Sequence, residues 1–173
     1  MTQGIDFATL SLQDALDLAI LIEEESQSRY QEFARQMELH HTPEAAGFFR
    51  HMAENESWHG TQLSQRRAAL FGGAARRVSA SMLWEVEAPE YDEARAFMSL
   101  RQAMETALRS EVKAHAFFVA VLPQIAEPEV KALFEELRDE EIQHQDLVKQ
   151  ELAKLPPGPE VNPDDYTDEP VAQ

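Results

Sequence analysis

Residues 42–63 read TPEAAGFFRHMAENESWHGTQL, and residues 127–148 read EPEVKALFEELRDEEIQHQDLV. The two segments share a proline, the spacing of several apolar residues and the pattern Glu-x-x-His. In an ungapped register with an offset of 85, Glu56 and His59 match an identical pair in the second segment. Residues three apart share one face of an α-helix, so such a pair can contact one metal ion or adjacent ions. The repeat predicts two equivalent helices that each present a carboxylate and an imidazole.

A second repeat, with an offset of 88, links the segments that precede these two helices. It matches Glu23 to Glu111, and an aromatic residue follows each Glu by seven positions, Tyr30 in the first half and Phe118 in the second. Seven residues are nearly two helical turns, so each acid shares a stripe with its aromatic residue. Both acids fall within the apolar, core-facing series, where an uncompensated carboxylate is unfavourable. The chain is therefore predicted to be a duplicated helical hairpin.

Helix-capping and helix-breaking residues divide the chain into four long helices. The helices are predicted to begin near Leu12, Pro43, Pro89 and Glu127, and to end before Thr42, at Phe71, before Pro123 and before Pro156. Ser11 is predicted to cap the first helix, and the Thr42 hydroxyl is predicted to cap the second.

The connection between the second and third helices, residues 73–88, is longer than the two to eight residues usual between antiparallel helices. It is predicted to run the length of the bundle as a crossover, with Trp84 as a packing anchor. We thus predict an all-α four-helix bundle over residues 1–154, made of two duplicated hairpins joined by a long crossover. Residues 155–173 are acidic and rich in proline, and we predict that this tail is disordered or lies along the surface.

Composition narrows the possible functions. The 173-residue chain carries a net charge of -17 and no cysteine. The negative charge argues against nucleic acid or an anionic membrane as a partner. Without cysteine the chain cannot hold a thiolate zinc site, an iron-sulfur centre or a rubredoxin-type iron, so any electrons must come from an external donor. No secretion signal or membrane span is recognisable, and we expect a cytoplasmic protein.

Brought together, four carboxylates and two imidazoles would form a site for two divalent metal ions. The predicted ligands are Glu23, Glu56, His59, Glu111, Glu141 and His144. The four negative charges balance two divalent ions, and the nitrogen and oxygen donors favour iron or manganese, with zinc as an inert occupant. The alternative, a metal-free bundle, would have to hold four uncompensated carboxylates in one core.

These residues resemble the ferritin-like di-iron carboxylate proteins, and among them the rubrerythrin-like branch, over residues 11–152. The resemblance implies that two carboxylates, Glu56 and Glu141, bridge the metal ions. It further implies that Glu23 and Glu111 are terminal carboxylate ligands and that His59 and His144 are terminal nitrogen ligands. It also implies a ferritin-like fold and the reaction of ferrous iron pairs with O₂ or H₂O₂.

The chain departs from rubrerythrins and bacterioferritins in three ways. Rubrerythrins resemble it only in the helical domain, since they add a cysteine-ligated rubredoxin iron. They also carry an extra carboxylate near the third-helix ligand, where this chain has Leu108 and Ala114. Bacterioferritins hold haem by a Met directly after the second-helix Glu, and here that residue is Ser57, so no haem is predicted. Tyr30 is a candidate to hydrogen-bond a ligand carboxylate or supply an electron; the alternative is a core aromatic.

The sequence thus favours a di-iron oxidoreductase of the ferroxidase or peroxidase type, used in iron handling or protection against oxidative stress. The alternatives are an iron storage or delivery protein and a metal-stabilised structural bundle without turnover. Because long crossovers allow hairpins to exchange between protomers, we also expect a homodimer, with swapped hairpins as one possible form.

Overall fold

The computed structural model describes residues 5–82 and 86–156, which contain four long helices. They are α1 (Leu12–Leu39), α2 (Pro43–Phe71), α3 (Leu100–Val121) and α4 (Pro128–Lys154). Short 3₁₀ turns lie at Ala80–Met82, Tyr91–Glu93 and Leu122–Gln124. No strand occurs in the described ranges, and the all-α prediction is confirmed. None of the helices described is long and apolar enough to span a membrane.

The first two helices begin where the sequence predicts, but only one of them is capped by a side chain. Ser11 is extended, and its hydroxyl accepts a hydrogen bond from the Asp14 N–H. The Thr42 hydroxyl instead donates to the Met37 carbonyl oxygen at 3.1 Å, so the capping role predicted for Thr42 is wrong. Pro43, which needs no N–H partner, marks the start of α2 without a side-chain cap.

The prediction that the third helix begins near Pro89 is wrong, because α3 begins at Leu100. Phe97 has a φ of 62°, a left-handed conformation that interrupts regular helix. Ser99 and Gln102 then form a reciprocal capping box, in which the Ser99 hydroxyl accepts from the Gln102 N–H and the Gln102 side chain accepts from the Ser99 N–H. A capping box satisfies two N–H groups that have no partner inside the helix, and it is a sequence signature of a helix start.

The connection between α2 and α3 follows α1 along the bundle, which confirms the predicted crossover. Near the start of α1, Gln13 donates to the Ala75 carbonyl oxygen at 3.0 Å. Further along α1, the Arg29 guanidinium donates to the Pro89 carbonyl oxygen. Trp84 and residues 157–173 lie outside the described residues, so the anchoring role and the disordered tail stay predictions.

Two apolar clusters fill the bundle, one towards each end. The first joins the start of α1 to the ends of α2 and α3 and the start of α4. The second joins the end of α1 to the starts of α2 and α3. Glu23, Glu56 and Glu111 each lie on their helix between residues of one cluster and residues of the other. The fold therefore places a layer of buried acids between two apolar layers.

Candidate metal centre

Glu23 of α1 meets Glu56 and His59 of α2 in the first half of the buried polar layer. Each of the three offers one ligand atom within 4.8 Å of the other two. The His59 Nδ1 lies 3.9 Å from Glu23 Oε2 and 4.0 Å from Glu56 Oε2. The imidazole nitrogen therefore faces both carboxylates of its group.

Glu111 of α3 meets Glu141 and His144 of α4 in the matching arrangement, again with ligand atoms within 4.8 Å of one another. The His144 Nδ1 lies 3.3 Å from Glu111 Oε2 and 3.9 Å from Glu141 Oε2. The sequence repeat thus corresponds to a repeat of site geometry.

The two groups face each other. The imidazole rings of His59 and His144 stack in parallel, with their centroids 4.8 Å apart. All six residues that the sequence singled out therefore lie together within one chain. Metal–ligand bonds of about 2.1 Å place two ligand atoms about 3.0 Å apart at right angles and about 4.2 Å apart when opposite. The nitrogen-to-oxygen distances in both groups fall in that range.

Five of the eight carboxylate oxygens of Glu23, Glu56, Glu111 and Glu141 lack, among the described residues, the hydrogen-bond partners that buried acids normally require. Glu56 is only 1% exposed, and neither of its carboxylate oxygens receives a hydrogen bond from the described residues. One oxygen each of Glu23, Glu111 and Glu141 is in the same state. Two facing carboxylates can share a hydrogen bond only if one of them is protonated. When all of these acids are ionised, their negative charge has to be balanced by positive charge from outside the group. A pair of metal ions fits this requirement.

Burial and the closeness of like charges shift the pKa values of the acids and of His59 in this site. Burial, followed by the negative charge of Glu87, raises the pKa of Glu23 well above its ordinary value. Burial, followed by Glu23, does the same to the pKa of Glu56, and burial, followed by Glu87, to that of Glu141. Burial and the neighbouring His144 lower the pKa of His59 to about 4. The His59 imidazole is therefore neutral at pH 7, the form that binds a metal.

Tyr30 lies next to the acids and is fully buried. Its ring stacks on Phe49, with the centroids 6.0 Å apart. Burial, followed by the negative charges of Glu111 and Glu56, raises the pKa of the Tyr30 hydroxyl. The Tyr30 hydroxyl has no hydrogen-bond partner among the described residues, so the predicted hydrogen bond to a carboxylate of the site is not formed in the structure. The predicted redox role of Tyr30 stays a prediction.

Glu87 is the residue of the layer that sequence reasoning missed. It belongs to the crossover, is 2% exposed, and forms a further group of ligand atoms within 4.8 Å with Glu56 and Glu111. Burial, followed by the charges of Glu56 and Glu111, raises the pKa of Glu87 well above its ordinary value. The available signal was a single acid between the apolar residues Val86 and Ala88 in a connection.

A cavity of about 400 Å³ leads from the surface to the acids between α2, α3 and α4. Its lining includes Glu56 and His144 at the site, and His51 and Glu151 on the outer turns of the same helices. Apolar side chains such as Leu147 form much of the remaining wall. Small reactants therefore have a route to the polar layer.

The family model of rubrerythrin matches residues 14–152, which include all six predicted ligands. The chain belongs to the rubrerythrin family. This rubrerythrin-family chain is 27% identical to an uncharacterized conserved protein from Magnetospirillum magnetotacticum, with a TM-score of 0.65 over 86% of this chain and 98% of that one.

A bacterioferritin from Rhodobacter capsulatus, solved with a metal-free dinuclear site and haem iron, shares the fold of the rubrerythrin-family chain. The two are 21% identical, with a TM-score of 0.55 over 82% of each chain. No curated protein matches the chain. The family and these structures confirm the ferritin-like, rubrerythrin-like fold.

Proposed function

We propose that this protein is a non-haem di-iron carboxylate protein that oxidises Fe(II) or reduces O₂ or H₂O₂ in the cytoplasm, in iron handling or protection against oxidative stress. The observation that carries the proposal is the pair of facing Glu, Glu and His groups, in which five of the eight carboxylate oxygens are buried without a hydrogen-bond partner among the described residues. Buried, ionised acids without hydrogen-bond partners need cations to balance their charge. Two groups, each with two carboxylates and one imidazole, provide the donor atoms for two metal ions.

Each half of the centre would hold one ion. Glu23 and His59 are the proposed terminal ligands of the first ion, and Glu111 and His144 those of the second. Glu56 and Glu141 are the proposed bridging ligands, in line with the family resemblance. The donor set favours iron, with manganese or zinc as possible occupants. A bound ferrous pair would supply two electrons to O₂ or H₂O₂.

The protein's own residues set the conditions for that reaction. His59, with its pKa lowered to about 4, needs to lose no proton before binding iron at neutral pH. The apolar layers on both sides limit contact with water, while the cavity beside His144 admits small reactants. Because the chain has no cysteine, we propose that an external donor returns the electrons.

Ferrous titration tests the proposal. Under anaerobic conditions, the chain is expected to saturate at about two ferrous ions, because the six ligands complete one dinuclear site. The Glu56→Ala variant is expected to lose the pair, because a bridging ligand is removed. Glu54→Ala is the matched control, since Glu54 lies two positions earlier on α2 and is exposed.

Air is then admitted to the loaded samples, and the absorbance of ferric iron is followed. Oxidation at the site should be fast in the unsubstituted chain and in Glu54→Ala, and about as slow in Glu56→Ala as for free iron. Saturation of the unsubstituted chain at one ion or none would contradict the dinuclear proposal, as would equal titrations of the two variants.

We also propose a homodimer. Both Glu, Glu and His groups lie within one chain, so a swapped dimer is not needed to complete the proposed centre. Refolded mixtures of Glu23→Ala and Glu141→Ala chains test the swapped form, because only exchanged hairpins can restore an intact site in a mixed dimer. Without exchange, verified mixed dimers are expected to recover no iron oxidation. A monomer in sedimentation at micromolar concentration would refute the dimer.

A further inference from the structure

The crossover enters the bundle at residues 86–89, all of which are buried. Glu87 lies in this stretch and is 2% exposed. A buried carboxylate is costly unless a cation or several hydrogen-bond donors compensate it. Within residues 5–82 and 86–156, no lysine or arginine forms an ion pair with Glu87. No lysine or arginine of the described residues therefore balances the negative charge of the Glu87 carboxylate.

Two cationic side chains hold the backbone beside Glu87 instead. Lys113 of α3 donates from Nζ to the Ala88 carbonyl oxygen at 2.7 Å. Arg29 of α1 donates to the Pro89 carbonyl oxygen, and its guanidinium carbon lies 3.4 Å from the centre of the Tyr91 ring. These contacts tie the stretch to α1 and to α3. They position the Glu87 side chain without an ion pair to its carboxylate.

The Glu87 carboxylate points towards both halves of the metal centre. One oxygen of Glu87, one of Glu56 and one of Glu111 lie within 4.8 Å of one another. Glu56 belongs to the first Glu, Glu and His group and Glu111 to the second. Both oxygens of Glu56, and Oε1 of Glu111, are buried and receive no hydrogen bond from the described residues. The three acids thus converge where a cation would satisfy all of them.

We infer that Glu87 is a fifth carboxylate ligand of the dinuclear centre, supplied by the crossover and not by the four helices. The inference rests on the proposed function, because it requires the metal pair. It gives the crossover a role at the site, since the segment that joins the two hairpins also carries a ligand between them.

The additional charge has a chemical consequence. Four carboxylates neutralise two divalent ions, so a fifth leaves a surplus negative charge in a buried layer. The surplus favours bound ions with a total charge above four, and iron reaches that charge when it is oxidised. Glu87 should therefore strengthen metal binding and stabilise the ferric state relative to the ferrous state.

Cobalt(II) titration of the whole chain tests the ligand role without turnover. The variants are Glu87→Gln, which removes the charge, and Glu87→Asp, which keeps the charge but shortens the side chain. Glu90→Gln is the matched control, since Glu90 is an exposed acid three positions later. Affinity and the visible spectrum of bound cobalt are measured, and circular dichroism checks that each variant is folded.

We expect about two cobalt ions in the unsubstituted chain and in Glu90→Gln, with affinity lowered about tenfold or more in both Glu87 variants. In iron-loaded protein, Glu87→Gln should also raise the midpoint potential by at least about 59 mV, a tenfold loss of preference for the ferric state in a one-electron step.

Three results would overturn the inference, and they separate it from the proposed function. If both Glu87 variants bind cobalt as Glu90→Gln does, Glu87 is not a ligand and the proposed function stands. If Glu87→Asp binds like the unsubstituted chain while Glu87→Gln does not, Glu87 acts by its charge alone. If the unsubstituted chain binds fewer than two ions, the proposed function fails and the inference fails with it.

Discussion

Loading the chain with metal is expected to raise its melting temperature by about 8–16 °C relative to the chelator-treated chain. A ligand that binds only the folded state at a thousand times its dissociation constant adds about 4 kcal/mol of stability. For a chain of this size, each kcal/mol shifts the melting temperature by about 2–4 °C. The effect should be large here because the ions also relieve repulsion among buried acids, including Glu56 and Glu141.

Calorimetry with excess chelator and with Mn(II), which air does not readily oxidise at neutral pH, measures this shift. The Glu56→Ala variant should show little shift, and its metal-free form should melt above the metal-free unsubstituted chain because a crowded acid has been removed. Glu54→Ala should behave like the unsubstituted chain. Equal melting temperatures with chelator and with metal would count against a working site.

The sequence predicts the helices and the paired ligands because both depend on local rules. The Glu-x-x-His spacing places Glu56 and His59 on one face of their helix, and Glu141 and His144 on one face of theirs, independently of the rest of the fold. The bounds of α2 follow from Pro43 and from Gly72 just after Phe71. The repeat then indicates which helices must face each other. The ligand pairs and the helix bounds carry over to the structure because each depends on residues within or next to a single helix.

Glu87 and the start of α3 could not be predicted in this way. The path of the crossover is set by contacts with distant residues, such as those of Arg29 and Lys113 with its backbone carbonyls. No other acid lies within one turn of Glu111 on α3, and the helical period of α3 cannot indicate a residue that belongs to another segment. Tertiary contacts, not local spacing, bring Glu87 to the site.

The metal-free protein is expected to lose stability as the pH rises above about 6.5. Glu23, Glu56 and Glu141 have raised pKa values in the folded state, so that state keeps protons that the unfolded chain loses near pH 4.5. Their contribution is complete below the unfolded value and is lost as the pH rises through the folded values. Each retained proton corresponds to a slope of about 1.4 kcal/mol per pH unit.

His59 defines the lower end of this window. Its pKa falls from 6.5 to about 4 on folding, so the stability that depends on His59 is present above pH 6.5 and is lost as the pH falls towards 4. Between pH 4 and 6.5, the effect of His59 on the pH dependence of stability is opposite in sign to the effect of the carboxylates. Above pH 6.5 the contribution of His59 is constant, so the slope of the unfolding free energy against pH comes from the buried acids.

Urea unfolding at pH 6.5, 7.5 and 8.5 measures the slope, with chelator and with Mn(II). The metal-free chain should become less stable across the series, while the metal-loaded chain should not, because metal displaces the protons and binds more tightly as the pH rises. Glu56→Gln should flatten the metal-free slope, and Glu54→Gln should leave it unchanged. A metal-free stability that does not depend on pH above 6.5 would contradict the prediction, because it would mean that the buried acids have already lost their protons at pH 6.5.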